Sequence, residues 1–426
     1  MSKSGGPHET STILAGFAIL FLTVAFFWLP RVGLMPFDAE HWTADLRTAL
    51  LAPRADQSDE VVVVGISEAT LADYPYVSPI DRGMLAELVS VLDEFEPAAI
   101  GLDLIFDRAT EPAKDAALRS ALQSANAPIV AVRLDASELT EDGFAYQEAF
   151  LSQAEVERGH PHFRFQVARF AVDERTVRTV PRPEAGLPPW SAALVAAYRK
   201  STVRALTDTS GGDQIVAEQS VLGELKDALG ARLFRASDKI AWQRPPADGA
   251  DQFRQFPAEA LLTIARLPAA FAGPAKAAIG AGIKGRIVMV GGTFADRDRH
   301  PTPLAVVSAE PTSGVLIHAT IATQLLEGRA IMEPAEGLDL LLIALVAGTA
   351  VWLGWRHAIK RFEFAIALIG ALVLIAADFG IYAAFGSVLP LNTHWQVWAL
   401  GLTAGSWIAG RQELEELRLR AGSPGR

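Results

Sequence analysis

The sequence predicts an α/β extracytoplasmic domain, with a mostly parallel sheet, helices on both faces and an antiparallel hairpin, carried by one N-terminal and three C-terminal transmembrane helices. Three observations predict it. Four apolar runs stand at the two ends of the chain, at Thr12–Leu29, Leu338–Trp355, Phe364–Phe385 and Trp395–Ala409. Each approaches the ~20 residues that cross a hydrocarbon core of about 30 Å. Between the first and second runs, β-branched stretches alternate with helical periodicity, which is the pattern of βαβ units and parallel strands.

The expected organisation is a short N-terminus at 1–11, a first span at 12–30, an outer domain at 31–335, three spans within 336–410 (about 338–355, 364–385 and 395–410) and a tail at 411–426. Basic residues set the orientation. The loop after the second span carries Arg356, Lys360 and Arg361, and the tail carries Arg411, Arg418, Arg420 and Arg426, whereas the Gly386–Thr393 loop is uncharged. The basic loop and the tail are therefore expected in the cytoplasm. By parity the N-terminus joins them, and the Pro30–Pro334 block lies outside. The first span reads as an uncleaved anchor, with a cleaved signal peptide as the alternative. Its apolar run is long for a signal core, and Pro30-Arg31-Val32-Gly33 offers no A-x-A site.

Half of the residues are apolar and a fifth are charged, as in a folded domain rather than a disordered stalk. The net charge of −11 argues against nucleic-acid binding. With no cysteine, disulfide frameworks and thiolate metal sites are excluded.

Along the outer block, Val61–Ile66 is a β-branched run broken only by Gly65, as expected of a strand buried on both faces. Asp81 stands at a helix N-cap, and Leu85, Leu88, Leu92 and Phe95 follow at helical spacing up to Pro97. Ala98–Phe106 reads as a second strand, Leu118 and Leu122 mark a helix, and Pro128–Leu134 is a third strand. Phe163, Phe165 and Val167 alternate with Arg164 and Gln166 in a strand that continues to Val172; after Asp173-Glu174-Arg175 it returns at Thr176–Val180 as a hairpin with one wet face. A helix follows near Trp190–Tyr198. Thr207–Asp213 and Arg244–Asp251 read as loops. Arg286–Val290 is a buried strand turned by Gly291-Gly292-Thr293, and Gly314–Glu327 is a helix ended by Gly328. No internal repeat is present.

Gly280–Gly285 has the G-x-G-x-x-G spacing, but it precedes a strand instead of following one, so it reads as a helix-to-strand turn. Gly211-Gly212-Asp213-Gln214 resembles the start of a cyclase signature, yet it stands in an outer loop. No Walker loop, H-E-x-x-H or G-x-S-x-G appears. No cofactor or metal is expected.

Candidate ligand residues gather at strand ends, where open parallel sheets bind ligands. Glu68 follows the first strand, Asp103 and Asp107 lie late on the second, and Thr293, Asp296 and Asp298 follow the last. Carboxylates so placed can hold a cation or a cationic ligand; equally, each can cap a helix or brace a loop. His318, early in a helix, reads either as a ligand contact or as a satisfied core residue. In the third span, Asp378 is an acid at membrane depth and so a functional suspect, unless it reaches interfacial water. Gly401, Gly405 and Ala409 repeat at four-residue spacing in the fourth span, a small-residue seam for close helix packing.

These pieces together resemble the type-2 CHASE domain, an extracellular sensory module found with cyclases and histidine kinases. The resemblance rests on Val61–Leu71 (VVVVGISEATL), Gly101–Phe106 (GLDLIF), Asp173–Arg178, Gly285–Gly291 (GRIVMVG), Asp298, Thr302-Pro303 and Gly314–Ala319 (GVLIHA), in that order, with one span before and three after. Ser67 stands where the family usually has Asp, and the family's Trp-Pro-x-Pro-Arg-like segment is present only loosely, as Tyr74-Pro75-Tyr76 and Arg82. Family members typically continue into a cyclase or kinase; this sequence ends at Arg426. The resemblance therefore implies a membrane-anchored sensor that is not itself an enzyme and relays a signal through its C-terminal helices to a separate partner protein, in a bacterial inner membrane with its main domain periplasmic. The partners expected are the membrane, a small ligand or periplasmic protein, an output or complex-subunit protein and a second copy of the chain. The alternative is an assembly subunit using the Gly401–Gly405 seam as a permanent interface. A third reading, an outer hydrolase, requires Glu68, Asp103 and Asp298 to converge in one open cleft.

Overall fold

A computed structural model describes residues 39–167, 175–184, 186–209, 233–356 and 363–421. Helix α1 (Ala39–Leu51) leads into β1 (Val61–Ile66), α2 (Glu68–Leu71), α3 (Arg82–Asp93), β2 (Ala99–Asp103), α4 (Pro112–Ser124), β3 (Ile129–Val132), α5 (Glu141–Gln153) and β4 (Glu157–Gly159). Then come β5 (Arg164–Val167), β6 (Arg175–Thr179), α6 (Trp190–Thr209), β7 (Phe234–Ala236), β8 (Arg254–Pro257), α7 (Ala258–Arg266), α8 (Ala269–Ile283) and β9 (Ile287–Gly292). The remainder is β10 (Arg299–His300), α9 (Ala305–Ser308), β11 (Thr312–Ser313), α10 (Gly314–Glu327), β12 (Met332–Pro334), α11 (Glu336–Trp355), α12 (Glu363–Phe385) and α13 (Leu391–Ala421).

Six strands form one sheet in the order β4-β3-β2-β9-β1-β8, and every pair in it is parallel. Parallel sheets need cover on both faces, and successive side chains alternate between them. Val62, Val64, Ile100, Leu102, Val288 and Val290 face one layer, where Leu85, Leu88 and Leu92 of α3, Phe150 of α5 and Leu261 of α7 pack. Val61, Val63, Val130, Ile287 and Met289 face the other, against Trp190 and Leu194 of α6 and Val315 and Ala319 of α10. Each such aliphatic side chain, fully buried, contributes roughly 1.5–3 kcal/mol. The result is a three-layer α/β/α sandwich. The expected hairpin is β5 paired antiparallel with β6, and its expected turn and the continuation to Val172 lie outside the described residues.

Local signals place the helices. Asp81 caps α3 by accepting from the backbone N–H of Gly83 and Met84 at 2.9 and 3.1 Å. Gly328 ends α10 at φ 65°. The expected loop at Thr207–Asp213 is corrected in its first half: α6 runs on to Thr209, because nothing before that point breaks the helix, and residues 210–213 lie outside the described chain. The 280–285 stretch is, as expected, the end of α8 and a turn, with Gly285 at φ 71°.

At the C-terminal side, α11 and α12 supply two helices long and apolar enough to cross a membrane, over Glu336–Trp355 and Ala365–Phe385. The fourth apolar run lies in α13, where His394, Gln396, Thr403 and Ser406 dilute it. The first run, 12–29, lies outside the described residues.

Candidate functional site

The carboxyl ends of β2, β3 and β9 open into a cleft of about 540 Å³, walled by Asp103, Asp298, His300, Phe163, Gly314 and His318 among others. It forms beside the point where β9 is inserted between β1 and β2, the kind of topological switch at which α/β sheets bind ligands. Asp103 is the last residue of β2. Desolvation first, and the neighbouring Asp298 second, push its carboxyl up to about 7. Among the described residues Asp103 makes no hydrogen bond or ion pair, although Arg82 and Arg108 line the same cleft. Asp298 sits at φ 50° and accepts a hydrogen bond from His300 Nε2 at 3.0 Å. Gly314 makes this possible: a Cβ there would lie 2.5 Å from Asp298 Oδ2.

His318 is buried in the cleft wall. Its Nδ1 is 2.8 Å from Ser191 Oγ, and it also hydrogen-bonds the backbone of Pro161. Proline offers only a carbonyl, so the imidazole donates there and Nδ1 accepts from the serine. Phe163 and Trp190 pack on the ring at 4.5 and 5.0 Å between centroids. Desolvation holds its pKa down to about 3, so the ring is a neutral brace at ordinary pH.

The other two candidate ligand residues stand apart from the cleft. Glu68 accepts from the backbone N–H of Ala295 at 2.9 Å, which lowers its pKa and ties α2 to the loop after β9. The Thr293 side chain fills the space over Gly65, where a Cβ would approach within 2.5 Å. Glu68, Asp103 and Asp298 therefore do not converge, and the arrangement sketched for an outer hydrolase is not present.

Arg82, which is 1 % exposed, also lines the cleft. Its guanidinium covers the Phe106 ring at 4.4 Å and keeps Nε 3.8 Å from Asp115, while Nε and Nη2 have no hydrogen-bond partner. Desolvation lowers its pKa. The loosely matching segment that ends in Arg82 was the sequence signal for this position.

A second constellation joins the domain to the apolar helices, and it centres on α1. Residues two apart on a helix point to nearly opposite sides. Asp45 takes a bidentate grip on Arg178 of β6, Nε–Oδ1 2.8 Å and Nη2–Oδ2 2.6 Å. Arg47 pairs with Asp378 of α12 and lies 4.9 Å from the centre of the Tyr382 ring. Asp378 is fully buried and also accepts from Leu389 N–H at 2.9 Å, so it meets an arginine rather than interfacial water. A cavity of about 190 Å³ is lined by Asp45, Arg178 and Arg47. Val388 N–H donates to Met332 at 2.9 Å, so the α12–α13 loop is knitted to β12 as well.

Gly401 and Gly405 face α11 of the same chain. A Cβ on Gly401 would come within 2.7 Å of Ala350 Cβ, one on Gly405 would overlap the Val351 carbonyl, and one on Gly354 would overlap that of Leu402. The seam is thus filled from within, so the interface assigned to it in the assembly-subunit reading is already occupied.

A third cluster, of His160, His162 and Glu184, lies beside the cleft. Sequence reasoning missed it, because two of its members share an extended segment and the third lies over 20 residues on.

The model of the CHASE2 domain family matches residues 17–353, well over half of the chain. Comparison with curated proteins and with solved structures finds no match. The matched range takes in the whole parallel sheet and reaches into α11. The chain belongs to the CHASE2 family of extracellular sensory domains.

Proposed function

We propose that this chain is a membrane-anchored extracytoplasmic sensor, whose strand-end cleft takes a small ligand bearing a cationic or hydrogen-bond-donor group and whose membrane helices pass the result to a separate protein. The donor chemistry follows from Asp103 and Asp298, two carboxylates of which Asp103 makes no hydrogen bond or ion pair among the described residues. The observation that carries the reading is α1, which holds the outer domain by Asp45 and the apolar bundle by Arg47. Connection to the cleft runs through β10. Asp298 holds His300, the next residue's carbonyl (Pro301) accepts from Val177 N–H at 2.9 Å, and Val177 precedes the Arg178 that grips Asp45.

A ligand shifts such a joint only by its differential affinity for two arrangements of it. A ligand that draws Asp298 toward itself pulls on β10 and so on β6. Buried ion pairs resist gradual stretching, because a separated charge in a dry site is costly, so the joint has the stiffness a relay needs. The test is to delete 411–426, replace the outer domain, and substitute Asp45→Asn in separate variants, and to follow the activity or association of the partner identified by mild-detergent pull-down. Loss of stimulus dependence in all three supports the sensor. A stoichiometric complex indifferent to stimulus and to all three changes would establish the assembly-subunit reading instead.

A further inference from the structure

Beside the cleft, the segment that follows β4 turns two histidines toward the Glu184 turn. His160 is held on both sides through its backbone: its N–H donates to Pro188 at 3.0 Å, and its carbonyl accepts from Trp190 N–H at 2.9 Å. The side chain is 2 % exposed. Its Nε2 lies 2.9 Å from the Arg182 carbonyl, which can only accept, so Nε2 carries the hydrogen and Nδ1 presents a lone pair. That Nδ1 is buried without a hydrogen-bond partner. Leaving such an atom unmatched is unfavourable, and an imidazole whose second nitrogen donates to a backbone carbonyl is the usual posture of a metal ligand.

The other donors stand close to the His160 ring. His162 Nδ1 is 3.0 Å from Glu184 Oε2, and His162 Nε2 is 2.8 Å from Glu138 Oε2. One donor atom each from His160, His162 and Glu184 lie within 4.8 Å of one another. Bond lengths near 2.0–2.2 Å to a tetrahedral ion put neighbouring ligand atoms about 3.5 Å apart, so closure asks for only about an ångström of movement. His162 and Glu184 have that freedom, since their side chains are 26 % and 49 % exposed. The adjoining cavity is open to solvent and is also lined by Arg133, but that guanidinium is taken by Glu148 at 2.7 Å and does not compete for the lone pair. A hydrogen-bonded His–Glu pair on its own would explain His162 and Glu184, but not the empty lone pair of His160.

We propose that His160, His162 and Glu184 form a binding site for a divalent transition metal of the zinc class, with Glu138 or water completing the coordination. Two imidazoles with one carboxylate suit zinc, cobalt or nickel, whereas calcium and magnesium call for all-oxygen sites. The site does not rest on the sensor reading, although His162 also lines the strand-end cleft. It has a structural consequence all the same. Pro161 and Phe163, the neighbours of the two histidines, line that cleft, so a bound ion would fix one of its walls.

The test uses the full chain in detergent, stripped with chelator and titrated with Co²⁺ and then Zn²⁺. We expect one Co²⁺ per chain with the visible absorption of a tetrahedral or five-coordinate ion, displaced stoichiometrically by Zn²⁺. Glu184→Gln and His160→Gln should each weaken binding by about tenfold or more. Glu184 lies on an exposed turn, so its substitution leaves the fold intact, and an unchanged melting temperature checks this. Absence of stoichiometric Co²⁺ binding, or an affinity unchanged in either variant, overturns the proposal.

Discussion

Replacing Asp103 by Asn should stabilise this protein at high pH and leave it nearly unchanged at low pH. Burial and Asp298 raise the Asp103 carboxyl from the ordinary 3.8 to about 7. Three pKa units at about 1.36 kcal/mol each amount to about 4 kcal/mol between its two protonation states. The sign follows from proton binding: the folded chain holds this proton more tightly than the unfolded chain does. The native state therefore loses stability as pH climbs from about 4 to about 7, and above that the cost of the half-buried carboxylate is complete. Asn keeps the volume and removes the charge. Water reaching the open side of the cleft trims the gain, so about 2–4 kcal/mol is expected above pH 7.5 and under about 1 kcal/mol near pH 4.5. Thermal unfolding of the detergent-solubilised chain, followed by tryptophan fluorescence at both pH values, reads the difference. A gain of several degrees confined to the higher pH is the expected result. A variant equally shifted at both pH values, or less stable at the higher one, would refute the reasoning. The tension itself has a functional meaning, since a carboxylate held in an unfavourable place is available to a ligand that relieves it.

The same carboxyl sets the pH dependence of binding: a cationic ligand should bind more tightly as pH rises through about 7, with proton release measurable by calorimetry in buffers of different ionisation enthalpy. Asp378→Asn leaves Arg47 buried without its counter-charge and should cost about 3–5 kcal/mol, while the pair Arg47→Met with Asp378→Leu should recover most of it in the same melting assay. Gly405→Ala drives a Cβ into the Val351 carbonyl, a backbone atom that cannot step aside, and should cost about 1–3 kcal/mol in the same melting assay. Ser191→Ala removes the donor to His318 Nδ1 and should cost about 1–3 kcal/mol at neutral pH, again read by melting.

What could be read directly from the sequence follows from where each element sits. The central strands β1, β2 and β9 are buried on both faces, so their apolar runs are unbroken and unmistakable. The edge strands β4 and β8 carry Glu157, Arg158, Arg254 and Gln255, and no such run announces them. Asp103 and Asp298 could be placed at one cleft by the rule of strand ends, but Glu68 obeys the same rule and is spent on Ala295, a distinction only backbone geometry makes, and His318, read only as a residue early in a helix, joins the cleft through tertiary packing. The small-residue seam could be read as packing, though not whose helix it packs against. Least legible was α1. Its composition is mixed, and its two decisive partners lie 133 and 331 residues away, so no local pattern identifies it.

A relay of the kind proposed requires α1 to couple the sensory domain to the apolar helices. Hydrogen exchange by mass spectrometry on the full chain in lipid nanodiscs, comparing wild type with Arg178→Met, tests this most directly. Arg178 lies on β6 and grips α1 through both oxygens of Asp45. If α1 couples the two parts, releasing Asp45 loosens α1, weakens the grip of Arg47 on Asp378, and speeds exchange at the outer end of α12 and at Val388 and Leu389. Faster exchange confined to β6 and α1, with α12 and the 386–390 loop unchanged, would contradict it.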